Sequence, residues 1–245
     1  MRPVYDVVLL PPDHVNRASI QASERLRDRS VFTLNNRDAV PHLSLYMANI
    51  REEDLGAAKT ALAELGRRTP GLSLTAREHR ANEHGMVEVF YEKTPGITRL
   101  QEDVIAAVNP LRDGLRELDP VGRSIAERMR QATGELADNF NTTGYDEVGG
   151  YFKPHITYAR LSPGNRGQQP GAPDLTEFDG RFERLGLFRM GEDGRCVEKL
   201  GEWRTGGRGT AGDGAPARTQ GRQQPRLGRE QRDPSRVPAA RQPER

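Results

Sequence analysis

Apolar and polar positions alternate most plainly over His42–Ile50, where His42, Ser44 and Tyr46 fall on one side and Leu43, Leu45 and Met47 on the other. Period-two alternation of this kind predicts a strand with one buried face. Val4–Leu10 is a near-continuous Val/Leu run ended by Pro11-Pro12, which reads as a buried strand. His14–Ser30 carries Val15, Ala18, Ala22 and Leu26 at helical spacing, and Val31–Leu34 follows as a short strand. Residues 51–68 predict the clearest helix, with acids in its first turn and Arg67-Arg68 at its end. Strands are expected around Leu72–Glu78 and Met86–Tyr91, then a helix over Pro95–Val108. Val121–Phe140 has helical character, and Phe152–Leu161 reads as a second strand resembling the 42–50 one. Phe182–Met190 and Cys196–Trp203 close the pattern as a strand pair around Gly191-Glu192-Asp193-Gly194.

Helices separate these strands without a strict βαβ rhythm, and turns join several of them in pairs. The order predicts an α+β fold with antiparallel sheets. The two similar strands stand in different halves of the chain, so a two-lobed, internally duplicated arrangement is expected. Residues 109–150 are the least clear part, with Asn141-Thr142-Thr143-Gly144 and Gly149-Gly150 breaking the helical pattern.

Composition changes the picture at the C-terminal end. Hydrophobic residues make up 34% of the 245, and mean hydropathy is −0.78, lean for a folded chain of this length. Residues 204–245 hold ten arginines against four acidic residues and almost no large apolar side chain. They are expected to form a disordered Arg/Gly/Pro/Gln-rich tail outside a folded domain of residues 1–203. The tail is read as a solubilising extension, with polyanion contact as its alternative use. Since the whole chain has a net charge of +2, the folded part is acidic and the basic pI is the tail's. The single Cys196 excludes a disulfide framework and a cysteine-based metal site. No segment has the length of a membrane span or a signal sequence, so a soluble, cytoplasmic, monomeric protein is expected.

Candidate chemistry rests on two of the five histidines. PHLSLYM (41–47) and PHITYAR (154–160) each write Pro, His, an aliphatic residue and a hydroxyl, a coincidence that composition makes rare. In an extended strand His and the hydroxyl at +2 share a face. Two imidazoles across a cleft can serve as general base and general acid about a phosphorus centre, while the hydroxyls donate to non-bridging oxygens. The residues do not spell out a metal site: HExxH is absent and the carboxylates are scattered. No cofactor is expected.

His42-Leu43-Ser44 and His155-Ile156-Thr157 resemble the two HxT/S motifs of the 2H phosphoesterase superfamily, which includes 2′-5′ RNA ligase-like proteins and cyclic phosphodiesterases. MVEVFYE with the 95–108 helix, and FERLGLFRM, resemble further segments of that family, so the likeness runs from about Val4 to Trp203. The resemblance implies a bilobed α+β fold with pseudo-twofold symmetry and a central cleft holding both motifs. Residues 109–150, longer than a compact member needs, would be an insertion that covers or narrows the cleft. The resemblance also implies metal-independent cleavage of a 2′,3′-cyclic phosphate, a 2′-5′ linkage or a cyclic-nucleotide phosphodiester. It implies His42 and His155 as the acid/base pair and Ser44 and Thr157 as phosphate-oxygen donors. RNA ends or small nucleotide phosphodiesters would be the substrates, with no membrane partner. Which histidine is the base is left open. So are two alternatives, RNA 2′-5′ end joining and a non-catalytic RNA- or nucleotide-binding module.

Further residues are weighed by parity. Tyr46 shares the motif face and is a candidate for stacking on a base or for lobe packing. Lys153 shares the parity of His155 and is a candidate phosphate contact. Phe152 and Tyr158 are expected in the core, Arg160 on the aliphatic side, and His14, His79 and His84 on the surface.

Overall fold

The computed structural model describes residues 2–166 and 171–206. These belong to the first of the two units into which the chain divides, Met1–Thr210; the second is Ala211–Arg245. The expectation of a disordered tail lies almost wholly outside the described residues.

Strand β1 (Val4–Leu10) is followed by helix α1 (Asp13–Glu24) and strand β2 (Leu43–Asn49). Helix α2 (Leu55–Arg68) then leads to three strands, β3 (Leu72–Leu74), β4 (Ala76–Ala81) and β5 (Met86–Tyr91). Helices α3 (Pro95–Val108), α4 (Ile125–Gln131) and α5 (Glu135–Thr143) come next. The last strands are β6 (His155–Arg160), β7 (Gly180–Phe182), β8 (Arg184–Met190) and β9 (Cys196–Arg204). One antiparallel sheet has the order β2-β1-β8-β9 and a second the order β4-β5-β6, with β3 and β7 forming a two-stranded ribbon. The fold is α+β and bilobed.

Each lobe repeats one unit, strand–helix–motif strand: β1-α1-β2 in the first and β5-α3-β6 in the second. The helix of each unit crosses to the other, α1 packing on β6 and α3 on β2, and the motif strands β2 and β6 touch each other. The crossing follows from the apolar stripes. Ile97, Leu100, Val104 and Val108 recur at three- and four-residue spacing on α3 and are fully buried. Thr94 caps that helix by accepting from Ile97 N at 3.4 Å, and Pro95 occupies its first turn.

The repetition extends to a defect in the ladders. In the first lobe Val7 pairs with Tyr46 and Val8 with Ser44, so Leu45 is left over. In the second, Val87 pairs with Ala159 and Glu88 with Thr157, so Tyr158 is left over. Counted from each histidine, the bulge falls at the same position, +3. A bulge inserts one residue and reverses the facing of the residues beyond it. Gln101, buried on α3, donates to the Leu45 carbonyl at 3.1 Å and to the Glu147 carbonyl at 2.7 Å, so it serves the carbonyl that the first bulge leaves spare.

Two expected elements differ. Val31–Leu34 is not a strand. Val31 N donates to the Arg160 carbonyl at 2.8 Å, and Ser23 Oγ on α1 accepts from Leu34 N at 2.8 Å, which draws the chain off the sheet edge. The strand expected over Leu72–Glu78 is two strands in different sheets. Asp179 Oδ1 accepts from Ala76 N at 2.7 Å where they part.

Gln101→Leu should cost about 1–3 kcal/mol by leaving two buried carbonyls without donors. Urea unfolding should show a lower midpoint with an unchanged slope; an unchanged midpoint would show that the bulge needs no such support.

Candidate active site

Both motif histidines are held by the same device. His42 Nδ1 donates to the Val40 carbonyl at 2.7 Å, and His155 Nδ1 donates to the Lys153 carbonyl at 2.7 Å. The prolines between donor and acceptor, Pro41 and Pro154, account for it. A proline confines its own φ and holds the preceding residue extended, which fixes the carbonyl two residues before the ring. A proline also fits just ahead of a strand, where its missing N–H is not needed by the ladder. With Nδ1 engaged, each ring has only Nε2 to offer. His42, Ser44, His155 and Thr157 line one cavity with about 140 Å³ of water-accessible space.

A carboxyl group stands beside each Nε2. Asp6 Oδ2 is 3.8 Å from that of His42, and Glu88 Oε1 is 3.5 Å from that of His155. The same oxygens meet the motif hydroxyls: Ser44 Oγ lies 2.6 Å from Asp6 Oδ2, and Thr157 Oγ1 donates to Glu88 Oε1 at 3.3 Å. The two carboxyls are not equivalent by the internal repeat. Glu88 pairs with Thr157, as Val8 pairs with Ser44, while Asp6 pairs with Met47, as Met86 pairs with Arg160. Neither acid drew attention in the sequence. Asp6 breaks a Val/Leu run at the strand parity of Val8 and Leu10, and that interruption was the available signal.

The two halves differ in electrostatics. Burial pushes His42 down to about 4, against a smaller upward pull from the Val40 carbonyl. Burial also lowers His155, but Glu88 and then Glu147 outweigh it, and the net direction is upward. Burial pushes Glu147 up as well. At neutral pH the first imidazole is therefore neutral, and the second has the acids beside it that favour a proton.

The segment expected to be an insertion supplies one wall of the cavity, including Arg116, Asp119, Arg123, Arg128 and Tyr145. Asp119 holds Arg123 at 2.7 Å and Arg128 at 3.3 Å, and Arg128 reaches Asp146 at 2.7 Å. Arg116 is buried, with its guanidinium carbon 5.2 Å from the Tyr145 ring centroid. Gly144 ends α5 in the left-handed conformation (φ 67°) and turns the chain back toward Tyr145.

Other candidates fall elsewhere. Tyr46 is fully buried, and its hydroxyl lies between two acceptors, Asn109 Oδ1 at 2.8 Å and the Thr143 carbonyl at 2.7 Å. It packs between elements and has no ring face for a base, because the bulge at Leu45 reverses its side. Lys153 is exposed and outside the cavity lining; its backbone carbonyl, and not its ammonium, serves the site. Arg160 is turned by the second bulge and pairs with Asp193. Phe152 and Tyr158 are buried as expected. His14 is exposed, but His79 packs against Tyr158 and Phe178, and His84 lines the cavity mouth.

Among the described residues, Asp6, His42 and Cys196 bring three donor atoms within 4.8 Å of one another. Burial holds the Asp6 carboxyl and the Cys196 thiol protonated. In the metal-free chain, burial thus disfavours the charged forms in which these two groups would bind a cation. Among the described residues, no helix is long and apolar enough to cross a membrane.

No family model matches the sequence, and no curated protein matches it. Among solved structures, TT0787 of Thermus thermophilus superposes with a TM-score of 0.50 at 22% identity, covering 85% of this chain and 100% of that one. E. coli LigT complexed with 3′-AMP gives 0.47 at 15% identity, over 84% of this chain and 99% of that one. E. coli LigT complexed with phosphate gives 0.45 at 16% identity, over the same shares. At such identities the likeness is one of fold, and it rests on the Thermus thermophilus structure. What is shared with that structure is the α+β fold over 85% of this chain.

Proposed function

We propose that this chain is a phosphoesterase of the 2H type, cleaving a 2′,3′-cyclic phosphate, a 2′-5′ linkage or a cyclic-nucleotide phosphodiester with two imidazoles and no metal. The observation that carries the reading is the pair of Nε2 atoms, each left free by an identical backbone hydrogen bond and each lining the same cavity. A pure binding module has no use for two imidazoles so held. The cavity, about 140 Å³, is smaller than the roughly 300 Å³ and upward that encloses a drug-sized ligand. It suits a phosphodiester and part of its sugar, with the remainder of the substrate leaving through the mouth.

The electrostatic difference between the halves supports one division of roles. His42, neutral, accepts the proton of a water molecule whose oxygen attacks phosphorus. The bond from phosphorus to the leaving sugar oxygen breaks, and His155 gives its proton to that oxygen. Proton count and charge close over the step, and exchange with water restores both rings. Ser44 and Thr157 hold the non-bridging oxygens, where negative charge gathers, Thr157 by turning its hydrogen from Glu88 Oε1, 3.3 Å away, to the phosphate. Joining RNA ends would be the same transfer with a sugar hydroxyl in place of water as the nucleophile, the ring oxygen of the cyclic phosphate leaving.

His42→Ala and His155→Ala should each lower turnover of 2′,3′-cyclic AMP about 10²–10⁴-fold in chelator-treated buffer while the circular dichroism spectrum is kept. Unchanged turnover in either variant would sink the assignment.

The pH profile follows from the two shifts. Activity needs His42 neutral, so it should fall as pH drops through about 4. It also needs His155 protonated, so it should fall again as pH rises through that ring's raised value. Glu88→Gln removes the main upward influence on His155, and the alkaline limb should move to lower pH. An alkaline limb that stays in place would show that His155 is not the acid.

A further inference from the structure

The Asp6 carboxyl is fully buried on β1, on the side of Val8 and Leu10, where Phe188 and Cys196 pack. Its Oδ2 meets Ser44 Oγ at 2.6 Å, and its Oδ1 has no hydrogen-bond partner. Among the described residues no lysine or arginine stands in ion-pair contact with it; its neighbour in that range is the His42 ring at 3.8 Å. An ionised carboxylate placed so has lost its water without gaining a cation, and the neutral acid is the cheaper form.

We infer that Asp6 works as a neutral carboxylic acid, donating its proton to Ser44 Oγ and so turning the serine's own hydrogen toward the phosphate in the cleft. The inference rests on the cavity being a phosphate site. A serine has one hydrogen to give. Were Asp6 ionised, that hydrogen would be spent on Oδ2 at 2.6 Å, and the cleft would meet oxygen lone pairs backed by a buried negative charge. With Asp6 as the acid, the same short contact runs the other way and Ser44 becomes a donor to an anion. Thr157 is served differently, since Glu88 is engaged with His155 Nε2.

The groups facing Asp6 agree with the neutral form. Burial raises its pKa to about 8, ahead of the downward pulls of Ser44, Arg116 and His155; Glu147 adds an upward push. His42 is neutral beside it, and burial keeps the Cys196 thiol neutral as well. The carboxyl should therefore keep its proton at neutral pH and lose it as pH rises through about 8.

The test uses the full chain, with sulfate as the probe because its charge stays fixed over this range. Asp6→Asn keeps the shape and a donor for Ser44, while Asp6→Leu keeps neither donor nor charge. At neutral pH, Asp6→Asn should bind sulfate about as well as the wild type and Asp6→Leu at least about tenfold more weakly. As pH passes 8, the wild-type Asp6 protein should fall about tenfold further than Asp6→Asn when both carry His155→Gln, which removes the coupling between that ring and Asp6. Carboxyl carbon NMR should show one aspartate titrating near 8 that is missing from Asp6→Asn. An Asp6 already ionised at neutral pH, an Asp6→Asn as weak as Asp6→Leu, equal affinity in all three proteins, or no sulfate binding would each overturn the inference. A wild type that binds sulfate as expected but cleaves no phosphodiester would keep Asp6 in this role and sink the phosphoesterase reading instead.

Discussion

One hydrogen bond, made twice, organises the cleft: an imidazole Nδ1–H given to the carbonyl two residues earlier, across a proline. It fixes the tautomer of each ring and leaves Nε2 as the nitrogen available for chemistry. Both rings are set by local backbone geometry before any neighbour is considered. What tertiary structure adds is convergence. The motif strands β2 and β6 touch, and the helix of each repeat is buried against the strand of the other. The two lobes therefore form one core, with the motifs at their junction. Loss of an apolar residue such as Val104 or Leu45 would loosen both walls of the site at once.

Within that symmetric frame, the proposed chemistry needs an asymmetry, and the acids beside each buried ring supply it. A general base and a general acid must differ in protonation at one pH. The rings are alike in geometry, but the acids around them are unlike. His155 stands near Glu88 and Glu147, which outweigh its burial. Burial raises Asp6, beside His42, to about 8, and against the cost of charging that ring stands only the smaller upward pull of the Val40 carbonyl. The carboxyls occupy different positions of the repeat, Asp6 two residues from where Glu88 would map. A duplicated scaffold thus reaches unlike electrostatics through two substitutions on inward-facing strand positions.

The 109–150 segment belongs to the site as much as to the surface. Its arginines are mostly engaged with Asp119 and Asp146, so it lines the cleft with ion pairs more than with free cations. Arg116 is the deepest of them, stacked on Tyr145, and its positive charge opposes the cluster of acids formed by Asp6, Glu147 and Asp146.

The strands and helices with clear periodicity, among them β1, β5 and α3, were legible in the chain, because local burial on one face dictates which residues are apolar. The motif residues His42, Ser44, His155 and Thr157 were legible too, since two copies of one short pattern need no structure to be seen. Strand parity failed just past each motif. A bulge is a long-range mismatch between two strands, and no count along a single strand reveals it, so Tyr46 and Arg160 were placed on the wrong sides. Asp6 and Glu88 were missed because a lone acid in an apolar run acquires meaning only from the residues across the sheet. The sequence by itself determined the fold class and the pair of motifs. The tertiary structure alone decided which acids stand beside which histidine, because burial and distance, unlike periodicity, are properties of the packed chain.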